Sequence, residues 1–153
     1  MRIGVISDTH GLLRPAAAAL LEGSDHIIHA GDIGRPEVIA ALRQIAPVTA
    51  VRGNVDTGAW AAAYPETELV RLGGSSIHVL HNLADLALDP VSAGIDVVIS
   101  GHTHRPKIET VGRVLYLNPG SAGPRRFALP IALATLELAD EVLRPRILEL
   151  AHG

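Results

Sequence analysis

Short apolar runs rich in β-branched residues, each followed at once by polar residues, recur along the first two thirds of the chain. Runs of this length and composition are typical of strands buried on both faces. The pattern predicts five such strands, at residues 2–7, 26–29, 48–51, 76–80 and 96–100. Apolar residues at helical spacing, opened by a proline, predict helices from Pro15 to about Leu21 and from Pro36 to near Ile45.

The rest of the chain is predicted to be mostly strand. Further strands are expected at residues 68–72, 107–111, 114–118, 131–138 and 142–150. Residues 57–65 are expected to form a short helix or an irregular loop, and residues from Leu83 to about Val91 a helix. No repeat and no linker interrupts the pattern, so residues 1–153 are interpreted as a single domain of mixed sheets with helices outside.

Composition narrows the classes of function. Hydrophobic residues make up 48% of the chain and charged residues 19%, as in a globular protein. A formal net charge of -3 and an aromatic content of only 3% disfavour a nucleic-acid-binding surface. No apolar run has the length of a membrane span, no signal peptide is apparent, and cysteine is absent. We therefore expect no membrane partner, a cytoplasmic location and no thiolate chemistry.

Each of the five apolar strands is followed by side chains that can ligate a metal ion. These residues are Asp8, His10, Asp32, Asn54, His81, His102 and His104. The carboxyl ends of parallel strands gather at one edge of a sheet, where ligands usually bind. Seven donors are too many for one transition metal that keeps an open position, but they suit two metals that share a carboxylate. Nitrogen and oxygen donors without sulfur favour manganese, iron, nickel or zinc.

Each motif taken singly also has an ordinary structural interpretation. Asp8-Thr9-His10 could cap a helix, and Gly31-Asp32 or Gly53-Asn54 could form a turn. His26, His29 and His78 are interpreted as structural or surface residues, with support of metal ligands as the alternative, and His152 as part of a terminal tail.

The ordered set of motifs resembles the calcineurin-like metallophosphoesterase superfamily. The motifs are Asp8-Thr9-His10, Gly31-Asp32, Gly53-Asn54, His81 and Gly101-His102-Thr103-His104. The short length and the later Asn118-Pro119-Gly120-Ser121 are most similar to the small phosphodiesterases of the YfcE type. This resemblance implies an α/β fold, a four-layer αββα sandwich of two mixed sheets flanked by helices.

The resemblance also implies a division of the ligands between two divalent metal ions, with manganese favoured over nickel, iron or zinc. One ion would be held by Asp8, His10, Asp32 and His104, and the other by Asp32, Asn54, His81 and His102, with Asp32 bridging. A hydroxide that bridges the metals would attack phosphorus in line. The catalytic residues would be Asp32, Asn54, His10 and His102.

The substrate predicted in this way is a small phosphoester, with diesters favoured over monoesters. Arg52 and Arg105 are candidate substrate contacts, although an ion pair explains Arg52 equally well. Arg125-Arg126 is interpreted as a solvated pair, with phosphate contact as the alternative. A homo-oligomer is left open.

Two positions depart from the family pattern. Val55 stands where many members carry a histidine that helps to protonate the leaving group, which favours esters with good leaving groups. Asn82 stands where relatives often have glycine after the ligand histidine, and asparagine tolerates the left-handed conformation.

Three alternatives remain beside the phosphodiesterase. They are a phosphomonoesterase with the same mechanism, a nuclease, and a non-catalytic protein-binding scaffold such as the retromer subunit of this superfamily. The acidic balance argues against the nuclease, and the complete ligand set argues against the scaffold.

Overall fold

The computed structural model describes residues 1–150, and His152 therefore lies outside the described residues. Within that range the chain forms two five-stranded sheets, two α-helices and two short 3-10 turns. The elements are β1 (Arg2–Ile6), α1 (Pro15–Leu21), β2 (His26–His29), α2 (Pro36–Arg43), β3 (Val48–Ala50), β4 (Thr67–Leu72), β5 (Ser75–Leu80), β6 (Val97–Ile99), β7 (Lys107–Val111), β8 (Val114–Asn118), β9 (Ala132–Ala139) and β10 (Val142–Glu149). The 3-10 turns are Ala59–Ala63 and Leu83–Asp85.

The first sheet has the strand order β10-β9-β1-β2-β3. The strands β1, β2 and β3 run parallel, with β1 at the centre of the sheet and β3 at its edge. Ile6 lies beside His29, and His29 lies beside Ala50. β9 and β10 add to the sheet in the antiparallel direction. The polar residues that follow β1, β2 and β3 therefore emerge at one edge.

The second sheet has the strand order β4-β5-β6-β8-β7. Here β5, β6 and β8 run parallel, with Val79 beside Ile99 and Ile99 beside Leu117. The donors that follow β5 and β6 thus also emerge at one edge of their sheet. The predicted grouping of strand ends occurs in two sheets rather than in one.

The main core lies between the two sheets. Val5 and Ile28 of the first sheet pack in one cluster with Val79 and Ile99 of the second, all fully buried. Each such side chain contributes about 1.5–3 kcal/mol relative to an exposed one. The two α-helices cover the outer face of the first sheet, where Leu21, Ile39 and Leu42 pack in a cluster with Ile6 and Ile27. The predicted α/β sandwich of two mixed sheets is confirmed.

The prediction of a helix from Leu83 to about Val91 is wrong. Only Leu83–Asp85 forms a 3-10 turn, which the side chain of Asn82 caps by accepting the N–H of Ala84 at 3.1 Å. Proline disfavours the α-helical conformation of the residue before it, here Asp89, and the few residues that remain cannot offset the cost of helix nucleation. Leu83 and Leu86 of this segment nevertheless pack on Leu80 and Val98, so the turn and its loop cover the second sheet.

The remaining elements match their predicted bounds closely. The helix Pro15–Leu21 and the strands 26–29, 107–111 and 114–118 have the predicted ends. The segment 57–65, predicted as a short helix or a loop, contains the 3-10 turn Ala59–Ala63. In the part of the chain that the structure describes, no helix is long and apolar enough to span a membrane.

Candidate metal centre

Backbone hydrogen bonds hold the loops after the strand ends in register. The N–H of Asp8 donates to the carbonyl of Gly31 at 2.9 Å, and the N–H of His10 donates to that of Asp32 at 2.9 Å. In the second sheet, the N–H of Gly101 donates to the carbonyl of His81 at 2.9 Å. The parallel pairing of the strands thus continues into the loops and fixes the donor side chains relative to one another.

Five of the seven predicted ligands come together between the two sheets. The ligand atoms fall into two groups, Asp8 with His10 and His104, and Asp8 with Asp32 and His81, each within 4.8 Å of one another. His104 Nε2 lies 3.3 Å from Asp8 Oδ1, and His81 Nε2 lies 3.2 Å from Asp32 Oδ2. His10 Nε2 lies 3.6 Å from Asp32 Oδ2 and 3.8 Å from Asp8 Oδ1, so both carboxylates lie between the imidazoles.

Four side-chain atoms of the cluster residues are buried without a hydrogen-bond partner among residues 1–150. One is His104 Nδ1, and the other three, Asp8 Oδ1, His10 Nε2 and His81 Nε2, face one another. An unpaired buried polar atom is costly, and native proteins rarely leave several in one place. Divalent cations would satisfy all three atoms and compensate the two buried carboxylates, so the residues present fit a metal centre.

A hydrogen bond to a backbone carbonyl fixes the orientation of the His81 ring. Its Nδ1 donates to the carbonyl of Ala30 at 2.8 Å, which leaves Nε2 facing Asp32. This arrangement is usual for metal-ligating histidines. Gly31 leaves the necessary space, because a Cβ there would lie 2.7 Å from His81 Nδ1 and its φ of +102° disfavours other residues.

The protonation of the cluster follows from burial and from its internal charges. Burial raises the pKa of Asp8, although the Ser7 hydroxyl and the His81 ring lower it in part. Burial also acts to raise the pKa of Asp32, but His81 and the N–H of Val55, 3.1 Å away, hold it at about 2. Burial acts to lower the pKa of His81, yet the two carboxylates raise it overall. Asp32 is therefore ionised at neutral pH.

The backbone is left-handed at five of the predicted ligands. The φ angles are 55° at Asp8, 47° at His10, 54° at Asp32, 71° at His102 and 63° at His104. Residues other than glycine rarely adopt this conformation, and each instance costs of order 1–3 kcal/mol. Such strain collects at functional sites, and four of these five residues, all but His102, belong to the cluster.

Asn54 and His102 lie at the rim of the cluster, and both are exposed. The ring centroid of His102 lies 5.3 Å from that of His81. The backbone N–H of His102 donates to Asp8 Oδ2 at 3.1 Å. Asn54 lines a cavity of about 290 Å³ together with Arg52, His81 and Asn82. The structure thus brings these two residues next to the cluster without packing them into it, and their role as ligands stays a prediction.

Comparison with known proteins agrees with this geometry. The profile of the calcineurin-like phosphoesterase superfamily domain matches residues 1–141. The chain belongs to this superfamily. A probable metallophosphoesterase of Methanocaldococcus jannaschii is 37% identical over 134 residues, which are 79% of this chain and 68% of that protein.

Solved structures of similar proteins share the fold. The structure described as a novel archaeal phosphodiesterase has a TM-score of 0.80 and 27% identity, and the match covers 97% of this chain and all of that chain. Vps29 of Entamoeba histolytica, solved with zinc, has a TM-score of 0.73 and 24% identity over 97% and 99% of the two chains. The second likeness shows a common fold only.

His29 lies between the loops of Asp8 and Asp32, next to the candidate metal centre. Its Nδ1 accepts the N–H of Gly31 at 3.1 Å, so the proton is on Nε2, which donates to Thr9 Oγ1 at 3.0 Å. The Thr9 hydroxyl in turn donates to the carbonyl of Ile33 at 2.9 Å. Burial lowers the pKa of His29 to about 3, so the ring stays neutral. His29 is therefore a buried structural residue, the first of the two interpretations, and its support of metal ligands stays a prediction.

Asp56 is a residue of the site that sequence reasoning missed. Its carboxylate is buried and accepts three backbone N–H groups, from Ile33 at 3.0 Å, Gly34 at 2.9 Å and Gly53 at 2.8 Å. These bonds join the loop of Asp32 to the loop of Asn54. The available signal was its place two residues after Asn54, where an aspartate often bonds to nearby backbone in a turn.

The turn Asn118–Ser121 supports the ligand loops from the other side. Asn118 Nδ2 donates to the carbonyl of Gly101 at 2.9 Å, and Ser121 Oγ donates to the carbonyl of Asp8 at 3.0 Å. Ser7 Oγ donates to Asp8 Oδ2 at 2.7 Å, which leaves Asp8 Oδ1 as the unpaired oxygen.

The arginines near the site differ in their surroundings. Arg52 Nη1 donates to the carbonyl of Tyr64 at 2.6 Å, and its Nη2 lies 3.4 Å from Glu66 Oε1, so the ion pair foreseen as an alternative is present. Arg105 is exposed, and its N–H donates to Thr103 Oγ1 at 3.2 Å. Burial lowers the pKa of both His10 and His104, and the positive charge of Arg126 lowers each further.

Proposed function

We propose that this protein is a phosphodiesterase that uses two divalent metal ions, with manganese as the preferred metal. The proposed ligands are Asp8, His10, Asp32, Asn54, His81, His102 and His104. The observation that carries the proposal is the convergence of the unpaired buried atoms Asp8 Oδ1, His10 Nε2 and His81 Nε2. A cluster that served packing alone would pair these atoms within the protein.

The metals, when bound, acidify the attacking water and neutralise charge that develops on the phosphoryl oxygens. The side chains hold and orient what binds there. Asp32 carries a full negative charge at neutral pH, because its pKa is about 2. The bond of His81 to Ala30 keeps Nε2 directed inward. Asn54 and His102, at the exposed rim, are proposed to complete the ligand sets on the side from which substrate enters.

The preference for diesters rests on the likeness to an archaeal phosphodiesterase, and the preference for good leaving groups rests on Val55. Val55 is 48% exposed beside Asn54 and has no proton to give to a leaving group. Esters whose leaving group departs without protonation, such as aryl diesters, are therefore the proposed substrates. Arg105, exposed near the last ligand, is retained as a proposed substrate contact, whereas the ion pair of Arg52 with Glu66 makes that residue a weaker one.

The decisive experiment compares bis-nitrophenyl phosphate with nitrophenyl phosphate as substrates of the purified protein. With manganese present we expect faster hydrolysis of the diester, complete loss with a chelator, and recovery when manganese returns. Zinc, nickel and ferrous iron are compared at the same occupancy. Faster hydrolysis of the monoester would identify the phosphomonoesterase alternative instead.

Two further outcomes would reject the proposal. A protein that binds divalent metal but hydrolyses neither ester with any of the four metals would be the non-catalytic scaffold. Cleavage of DNA or RNA that weakens steeply with added salt would identify a nuclease. His26→Ala serves as the matched control for ligand variants, because His26 bonds to Thr49 Oγ1 at 2.7 Å and is absent from both donor groups.

A further inference from the structure

The loop after Ser121 is anchored directly on the segment that carries the first metal ligands. The N–H of Ala122 donates to the carbonyl of Ser7 at 3.1 Å. The guanidinium of Arg14 donates from Nε and Nη2 to the carbonyl of Gly123, each at 3.3 Å. Gly123 packs so closely on the carbonyls of Asp8 and Thr9 that a Cβ there would collide with both. The residues that follow Gly123 therefore start at the edge of the metal centre.

Arg126, three residues further on, lies near one end of this centre. Its positive charge is close enough to lower the pKa of both His10 and His104, the two imidazoles of one donor group. Arg126 is exposed, and no ion pair or side-chain hydrogen bond engages it within residues 1–150. A free positive charge beside a proposed cation site is unfavourable unless an anion binds between them.

Phe127 adds a second unexplained feature at the same place. Its side chain is 94% exposed, and its backbone is left-handed with a φ of 54°. For a bulky residue this conformation is uncommon and costs free energy, and the exposed ring gains nothing from burial. Strain of this kind is a reason to look for a binding role.

We propose that Arg126 and Phe127 form a substrate-recognition segment, in which Arg126 binds a phosphate oxygen and Phe127 stacks on an aromatic group of the ester. The ligand class is a phosphoester with a flat aromatic group, such as a nucleobase, within reach of the phosphorus. The inference rests on the proposed function for its meaning in catalysis, although the binding that it requires is measurable without turnover.

Arg126 and Phe127 contact different parts of the ligand, so ligands with and without an aromatic group distinguish their roles. Arg126 bonds to the phosphate, a charge-assisted contact that is independent of what the phosphate carries. Phe127 contacts only the aromatic group, since stacking needs a π-face. Inorganic phosphate, ribose phosphate and AMP form a series in which the last step alone adds an aromatic ring.

The experiment measures the binding of these three ligands to the manganese-loaded protein by calorimetry. Arg126→Ala is expected to weaken all three by about tenfold, as for loss of a hydrogen bond to a charged group. Arg125→Ala is the matched control, because it removes an equal charge from the neighbouring exposed position of the same loop, and its affinities should stay unchanged if Arg126 alone contacts the phosphate. Phe127→Ala is expected to weaken AMP by about tenfold and to leave ribose phosphate unchanged, while Phe127→Tyr retains the wild-type affinities.

Manganese binding is measured for every variant, and equal manganese affinity shows that the metal centre is intact. The inference is overturned if Arg126→Ala behaves like Arg125→Ala, if Phe127→Ala affects AMP and ribose phosphate equally, or if the wild-type protein binds none of the three ligands. Failure of the proposed function looks different. A wild-type protein that hydrolyses no ester, yet shows these binding differences, loses the proposed function and keeps the recognition segment.

Discussion

His81 and Ala30 join the two sheets of the sandwich through a single hydrogen bond, from His81 Nδ1 to the Ala30 carbonyl, 2.8 Å long. Ala30 follows β2 of the first sheet, and His81 follows β5 of the second. The same imidazole presents Nε2 to Asp32, which also follows β2 of the first sheet. The ring of His81 therefore contacts the opposite sheet with both of its nitrogen atoms.

Replacement of His81 should remove one metal from the centre. We expect His81→Ala to reduce bound manganese from two ions per chain to one and to abolish diester hydrolysis, because Nε2 is among the few unpaired buried donors. Metal content after dialysis, measured by atomic emission, checks this. His26→Ala should keep both ions. Two ions retained in His81→Ala would show that this histidine is no ligand.

Replacement of Asp56 should loosen two ligand loops at once. Asp56→Ala leaves the N–H groups of Ile33, Gly34 and Gly53 without their acceptor, so we expect the free energy of unfolding to fall by about 3 kcal/mol. Manganese affinity should fall by about 10–100-fold, as for loss of a group that supports metal ligands.

Urea unfolding of the metal-free protein and manganese titration measure the two effects of Asp56→Ala. Asp56→Asn should recover part of each, since one amide oxygen still accepts two of the N–H groups. A variant with lower stability but wild-type manganese affinity would restrict Asp56 to a role in folding.

The metal-free protein should lose stability in acid through His29. Its pKa is about 3 in the folded protein and 6.5 as the ordinary value, because burial opposes the charged ring. The ring of His29 therefore becomes protonated below pH 6.5 in the unfolded chain but only below about pH 3 in the folded protein. This contribution to stability is complete above pH 6.5 and declines as the pH falls toward 3.

Asp32 should add a second loss at lower pH. Its folded pKa of about 2 lies below the ordinary 3.8, so its contribution is present above pH 3.8 and is lost as the pH falls toward 2. Urea unfolding of the metal-free protein across this range measures both. His29→Gln should flatten the dependence between pH 6.5 and 4 and leave the more acidic part, and an unchanged slope would contradict the assignment to His29.

An imidazole at position 55 should open the site to esters with poor leaving groups. Val55 is 48% exposed next to Asn54, so a histidine fits there and can protonate a leaving group. We expect Val55→His to raise hydrolysis of alkyl phosphate esters, whose leaving group needs a proton, at least about tenfold relative to nitrophenyl esters, whose leaving group departs without one; this is a modest part of what general acid catalysis can supply. The gain should fade above the pKa of the new imidazole.

Val55→Ala is the control for this substitution and should give no gain, because alanine also lacks a proton to donate. Equal effects of the two substitutions on the ratio of alkyl ester to nitrophenyl ester rates would mean that removal of the valine side chain, and not acid catalysis, changes the specificity.

The sequence allowed the strands and the ligand cluster to be predicted because both depend on local patterns. The run Val97–Ile99 and the polar residues behind it identify a buried strand and its end without any knowledge of the fold. The same reasoning brought Asp8 and His104 to one place, although 96 residues separate them in the numbering. The αββα architecture came from the resemblance rather than from the pattern.

Features that depend on distant contacts could not be read in this way. His26 and His29 end the same short strand, and only the folded chain shows that His29 meets Thr9 while His26 meets Thr49. The partners of Asp56 include Ile33 and Gly34, more than 20 residues away. Aspartate tolerates the left-handed backbone better than most residues, but the loops packed around Asp8 decide that it adopts this conformation.

The division of the donor residues between the sheets has a consequence for how the protein opens. Asp8 and Asp32 follow strands of one sheet, whereas His81 and His104 follow strands of the other. Cations bound by both sets would cross-link the two halves of the sandwich and penalise any motion that separates them. The supply of metal around the protein would then control how often its interior is exposed to solvent, and with it how long each molecule survives proteolysis.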